Sequence, residues 1–335
     1  MEKISVGLIG LGQWPKLAYV PTLESIDDAL VTAVAVRSEE TGSFARETFG
    51  RDITLYSDYR ELLADEKIQA VMMALPNPMH ADCLDAAASS GKHIFYEPPM
   101  GLNTGDVNQA VSSLSKTDAV VQADMELRYL PVMKKVKELA GEDGMGEVGG
   151  PLMAKIRLWC DWGFGGGEFN QDVEQEGFFF WLGCWYLDVL DCVYSAVPVR
   201  AEVTGGYKMN GGLMDHGITG LTYPGGEIGV VEMNILAVEG LQVNLAVVGT
   251  SGELEADLIN GSIRWRKEGS GWKEESFPCL QPVHGFAGMR ESIIDFFASI
   301  REGRKPAANL EVSRRVHEAV LLCDEQERSS VLRRK

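Results

Sequence analysis

At 335 residues the chain exceeds what one small hydrophobic core organises and suits two domains. With 45% hydrophobic and 24% charged residues it has the composition of a core-forming globular protein, which excludes a disordered or fibrous chain. Forty-nine acidic against 31 basic residues give a net charge of −18, a solvated acidic surface that argues against unaided binding to nucleic acid or an anionic membrane.

Residues 4–9 read as a strand that runs straight into Gly10-Leu11-Gly12. A Gly-x-Gly there lets the backbone turn tightly and lets a pyrophosphate approach bare amide groups. The helix expected over 15–27 would aim its N-terminal amides at the same anion. Pro15 stands where the full fingerprint has a third glycine, and proline is tolerated in a first helical turn. A second strand is expected over 31–36, helices over 39–49 and 58–64, and a third, buried strand over 68–75 that Pro76-Asn77-Pro78 stops. A helix over 79–90 ends at Gly91, and His93–Tyr96 is a fourth strand. Strands alternating with helices over short crossovers imply an α/β domain with a parallel sheet covered on both faces.

Near 118–130 the rhythm changes, which places a dinucleotide-binding domain at 1–122 and a second domain at 123–335. A helix over 130–140 leads to longer strands at 152–160, 199–208, 216–223, 228–237 and 241–250, with glycine-rich turns between them. These predict an α+β domain built on a large, mostly antiparallel open sheet, closed by helices over 286–302 and 311–328. No run reaches the roughly 18 apolar residues of a membrane span, and no secretory signal pattern opens the chain. The six cysteines are scattered without a C-x-x-C pair and read as reduced thiols, so a cytoplasmic location is expected. The five histidines lack metal-ligand spacing, and no metal site is expected.

Residues 4–14, Pro76-Asn77-x-x-His80, Gly91-Lys92-His93, Arg128-Tyr129-x-Pro131 and Gly249-Thr250-x-Gly252 together resemble the glucose-fructose oxidoreductase/inositol dehydrogenase (Gfo/Idh/MocA) family. Glu97-Pro98-Pro99 falls where that family has Glu-Lys-Pro. The resemblance implies a Rossmann half that binds NAD(P), oxidoreduction of a sugar, polyol or related small molecule, and a homodimer or homotetramer. The cofactor set it implies is Gly10, Gly12, Gln13, Trp14, Arg37, Ser38, Leu75, Pro76, Asn77, His80 and Glu97. Family members usually carry an acidic residue at the end of the second strand to accept the ribose hydroxyls. Val36-Arg37-Ser38 stands there instead, so nothing repels a 2′-phosphate and Arg37 can pair with one. NADP(H) is therefore expected over NAD(H).

The resemblance fails at the catalytic positions. Pro98 replaces the family's lysine. The family's Asp-x-Gly-x-His-x-x-Asp segment reads Trp181-Leu182-Gly183-Cys184-Trp185-Tyr186-Leu187-Asp188, which keeps only Gly183 and Asp188. Alcohol oxidation needs a group to take the hydroxyl proton, and neither proline nor indole can. Tyr186, Asp188, Lys155 and Asp161 remain as candidates. At helical spacing Trp181, Trp185 and Asp188 share a face, and with Trp162 and Tyr186 they outline an aromatic substrate pocket, with Gly163–Gly167 as a loop over it. Core or oligomer packing explains the same aromatic crowding. Two alternatives stand beside an oxidoreductase with non-standard acid–base residues. One is a catalytically vestigial dinucleotide-binding protein or sensor. The other is either a reductase of a conjugated, bilin-like acceptor or a non-redox enzyme that holds NAD(P).

Overall fold

The computed structural model describes residues 2–141, 146–161, 177–208, 214–238, 240–278 and 288–332. The chain forms two compact units, Met1–Glu126 with Gln281–Arg314, and Leu127–Leu280 with Arg315–Lys335. Among the described residues no helix is long and apolar enough to cross a membrane.

The first unit opens with β1 (Ile4–Ile9), α1 (Gln13–Leu17), α2 (Tyr19–Glu24), β2 (Ala29–Ala35), α3 (Glu39–Phe49) and β3 (Thr54–Tyr56). It continues with α4 (Tyr59–Ala64), β4 (Ala70–Met73), α5 (His80–Ser90), β5 (His93–Tyr96), α6 (Thr104–Leu114) and β6 (Val121–Ala123). The single helix expected over 15–27 is two short ones. Pro21 has no N–H to offer Leu17, and its ring crowds that residue's carbonyl, so the helix breaks between Leu17 and Tyr19. Side chains cap the later helices: Ser38 accepts from the Thr41 amide, Asp58 from Arg60 and Asn103 from Asp106.

The six strands pair in parallel in the order β3-β2-β1-β4-β5-β6. The chain winds outward from β1 to β3, then crosses back to β4, so the topological switch lies between the C-terminal ends of β1 and β4.

The second unit contains α7 (Pro131–Ala140), β7 (Pro151–Cys160), a π turn at Phe179–Gly183, α8 (Cys184–Tyr194), β8 (Arg200–Gly206), β9 (His216–Thr222) and β10 (Ile228–Asn234). It also holds β11 (Leu241–Gly249), β12 (Gly252–Asp257), β13 (Ser262–Lys267) and β14 (Lys273–Ser276). Its eight strands run β14-β13-β12-β11-β7-β10-β9-β8, and every neighbouring pair is antiparallel except β10 with β7. That is the mostly antiparallel sheet expected from the sequence. Ala154, Ile156, Leu158 and Cys160 of β7 are buried. Gly229, paired with Ala154, leaves room for Leu190 of α8, so α8 covers that face of the sheet.

Two more helices follow, α9 (Met289–Glu302) and α10 (Leu310–Leu332). A second domain running unbroken from 123 to the C-terminus does not describe this path. Met289, Ile293, Phe296 and Phe297 of α9 lie in the core of the first unit, where Phe296 and Tyr19 both meet Phe95 edge-on at 5.5 and 5.6 Å. Arg301 also donates to the Asp28 carbonyl at 3.0 Å. Burial of the apolar stripe on α9 draws this late segment back into the Rossmann unit.

Candidate dinucleotide site and catalytic segment

The turn after β1 is held by two glycines with different tasks. Gly10 has φ +90, and a Cβ there would lie 2.3 Å from the Ala74 carbonyl oxygen, so the approach of β1 to the end of β4 requires glycine. At Gly12 a Cβ would meet nothing within 4 Å. Packing does not demand glycine there, and its bare, exposed backbone suits contact with a pyrophosphate. Gln13 and Trp14 begin α1 directly beyond it, with Gln13 exposed and Trp14 half-buried.

Glu97, the first residue after β5, binds this turn from below. Its Oε1 accepts the Trp14 indole N–H at 2.6 Å and the Tyr19 hydroxyl at 2.6 Å. Asp124 follows β6, the strand paired with β5, its amide donates to the Tyr96 carbonyl at 2.8 Å, and its carboxyl lies close enough to that of Glu97 for the two to perturb each other. The Ser292 hydroxyl donates to Asp124 Oδ1 at 3.1 Å. Both carboxyls are sealed off, Glu97 at 7% exposure and Asp124 at 0%. Burial pushes Glu97 up to about 7 against the pull of its donors, and burial with the charge of Glu97 raises Asp124 well above the carboxylate range. The sequence reading found Glu97 and missed Asp124 and Tyr19. A carboxylate in the apolar run Val121–Met125, at the C-terminal end of a strand, was the available signal.

His80 is 2% exposed and braces two loops rather than facing open space. Its Nδ1 lies 2.6 Å from the Pro99 carbonyl oxygen and its Nε2 2.7 Å from that of Leu75. Burial lowers its pKa, and the two carbonyls oppose the shift. The ring thereby ties the Leu75–Asn77 turn, in which Pro76 is exposed and Asn77 half-buried, to the Glu97–Pro99 loop, whose Pro98–Pro99 bond is cis. Arg37 is exposed just past β2, with its Nη2 3.5 Å from Met79 Sδ. The Ser38 hydroxyl is already engaged as the cap of α3.

In the second unit, Asp188 is fully buried and held by Arg128, whose Nε lies 3.1 Å from both carboxylate oxygens. Arg128 also reaches Asp191 at 3.2 Å, and Arg315 closes the chain on Asp191 at 2.7 and 2.9 Å. Burial penalises the Arg128 charge, and the charges of Asp188 and Asp191 outweigh it. Asp188 is therefore the partner of a buried ion pair. It is sealed rather than sharing an open face with the half-buried Trp181 and Trp185, and the π turn, which adds a residue per turn, breaks the α spacing counted from Trp181. Gly183 keeps this turn closed, since a Cβ would stand 3.0 Å from the Phe179 ring.

Tyr186 is buried. Lys155 pairs with Glu232 at 3.2 Å on the sheet face opposite α8, away from the tryptophans. Asp161 is exposed at the end of β7. Trp162 and Gly163–Gly167 lie outside the described residues. Among the described residues no group of three or more His, Cys, Asp or Glu side chains could hold a metal ion.

A six-stranded sheet in Rossmann order, with a Gly-x-Gly turn at its switch point and an open eight-stranded sheet in the same chain, defines a class of nicotinamide-dependent oxidoreductases. Residues 4–125 match the oxidoreductase family with NAD-binding Rossmann fold, and residues 133–255 match the GFO/IDH/MocA C-terminal domain. The chain belongs to the Gfo/Idh/MocA family and is an NAD(P)-dependent oxidoreductase.

It is 24% identical to the myo-inositol 2-dehydrogenase of Thermotoga maritima over 310 residues, which cover 91% of this chain and 90% of that one. It is 25% identical to a scyllo-inositol 2-dehydrogenase (NADP(+)) of Bacillus subtilis over 67% of this chain and 68% of the other. Levoglucosan dehydrogenase, solved in complex with NADH and levoglucosan, shares the fold with a TM-score of 0.83 over 98% of both chains at 19% identity.

Proposed function

We propose that the protein is an NADP(H)-preferring oxidoreductase of a small polyhydroxylated substrate, a sugar, polyol or related compound, with non-standard acid–base residues. The observation that carries this reading is the end of β2. The residue that would repel a 2′-phosphate is absent there, and Arg37 is exposed in its place beside the switch-point turn. Inositol and levoglucosan dehydrogenases among the relatives support the substrate class.

Gly10 and Gly12 would admit the pyrophosphate, Leu75–Asn77 and the His80 brace would shape the nicotinamide end, and Arg37 would pair with the 2′-phosphate. A bound nicotinamide supplies or accepts hydride. Of the four candidate proton carriers, Asp188 is committed to Arg128, Tyr186 is buried and Lys155, though exposed, is paired with Glu232 across the sheet, which leaves Asp161, exposed at the end of β7.

Titration with NADPH and NADH tests the cofactor. NADPH should bind more tightly, and Arg37→Ala should weaken it roughly tenfold while leaving NADH within about twofold. NADH binding at least as tightly as NADPH in the unmodified protein would sink the preference. A panel of sugars, polyols and enones with NADPH and NADP+ tests the substrate class, and turnover of enones alone would exclude polyols.

A second reading, a vestigial dinucleotide-binding sensor, is favoured by Pro98, Trp181 and Trp185 at the family's proton-handling positions. Pro98→Lys with Trp181→Asp and Trp185→His rebuilds the family pattern. Gain of sugar dehydrogenase activity from an inactive parent supports this reading, and loss of an existing activity rules it out.

A further inference from the structure

We propose that Asp124 is a positioning residue for the dinucleotide turn: it shares one proton with Glu97 and so holds the Glu97 carboxylate where it grips Trp14, two residues beyond Gly12. The assignment rests on the reading that this turn receives a nicotinamide dinucleotide.

The chemistry of the pair requires the proton. Ionised carboxylates only accept hydrogen bonds, so Glu97 and Asp124 can hydrogen-bond to each other only if one is protonated. The donors identify which one. Trp14 from α1 and Tyr19 from α2 both point N–H or O–H at Glu97 Oε1, as suits an anion. On Asp124, Ser292 from α9 serves Oδ1, while Oδ2 is buried with no donor facing it, the situation of an oxygen that itself carries hydrogen. The other group that acts on the pair, Glu126 beyond β6, is acidic and adds repulsion. None of the groups that act most strongly on either carboxyl is basic. Two like charges in one dry site cannot both form cheaply, so one proton stays.

The location gives the pair its task. β5 and β6 are neighbours whose last residues, Tyr96 and Ala123, are in register, so the two carboxyls sit side by side at the C-terminal edge of the sheet. α1 is five residues long, and no side chain caps it at Gly12. Its Trp14–Glu97 hydrogen bond fixes the orientation of that short turn against the sheet. Loss of the shared proton sets two carboxylates against each other and loosens the grip on Trp14. Affinity for the dinucleotide then falls at alkaline pH.

Asp124→Asn supplies a donor to Glu97 at every pH. In the intact protein, the Kd for NADPH should rise at least fivefold between pH 7 and 9.5, and in Asp124→Asn it should stay within twofold. In the free protein, Trp14 fluorescence, isolated by subtracting Trp14→Phe, should titrate with pH and become flat in the variant. Infrared spectra at neutral pH should show a protonated-carboxyl stretch that the variant lacks. An alkaline loss of affinity that persists unchanged in Asp124→Asn would overturn the proposal. So would absence of both the carboxyl band and the Trp14 titration from the parent. If neither NADPH nor NADH binds, the dinucleotide reading fails by itself, and the two cofactor-free signals still decide whether the pair holds α1. Should Asp124→Asn not fold, Glu97→Gln replaces it, with the Trp14 titration again expected to vanish.

Discussion

At the scale of single residues, the first unit is balanced between two buried titrating features of opposite sign. Glu97 and Asp124 have folded pKa values above their unfolded ones, so the stability they contribute is complete below about pH 4 and is lost as pH rises through their folded values, about 7 for Glu97. His80 is the reverse: its folded pKa lies below the unfolded value of about 6.5, so its contribution is present above that pH and fades as pH falls. Thermal unfolding across pH 5–9 should therefore show Asp124→Asn gaining on the parent as the solution becomes alkaline. His80→Gln should lose least at acid pH, where the parent's own advantage is smallest. An Asp124→Asn difference that is constant across the range would mean the pair does not titrate there. Glu97 and His80 were legible in the sequence because they stand at motif positions. What they do was not, because the donors that define Glu97 come from residues 14 and 19, and its proton partner comes from residue 124.

At the scale of elements, buried strands announced themselves as apolar runs: β1, β4 and β5 fell within the stretches expected, and β2 overlaps its own but begins at Ala29, two residues before the expected start. The three-residue strands β3 and β6 are too short to leave a periodic signal, and α6 is hidden by a glycine, a valine pair and serines that favour other conformations. The most consequential element to escape was the π turn before α8, because it changes which residues share a face. Pattern matching made Asp188 a candidate acid–base group, and the fold makes it the anchor of Arg128. Asp188→Ala should thus cost about 3–5 kcal/mol of stability by stranding a buried guanidinium. Pairing it with Arg128→Leu should recover part of that loss in a denaturant titration. If Asp188→Ala is as stable as the parent while turnover collapses, the carboxylate has a chemical role after all.

At the scale of the whole molecule, the sheet face opposite α8 carries Val248, Met153 and Ile228 side by side across three strands, each well exposed. An apolar row of this kind marks an association surface, and we propose that it joins copies of the chain into a dimer or tetramer. Met153→Glu should shift the mass measured by light scattering toward the monomer. A parent that is already monomeric at micromolar concentration would end that proposal. The return of α9 to the first unit was not legible, since nothing in its amphipathic stripe says which core it joins. It has a consequence for how the protein is made. A ribosome releases β1 to β6 long before Phe296 and Phe297 exist, about 170 residues and roughly 9–35 s of synthesis earlier. Through that interval the nascent sheet has Phe95 packed on Tyr19 but without Phe296. A fragment ending at Glu126 should accordingly bind hydrophobic dyes and aggregate, and chaperones should favour this chain until its final hundred residues emerge.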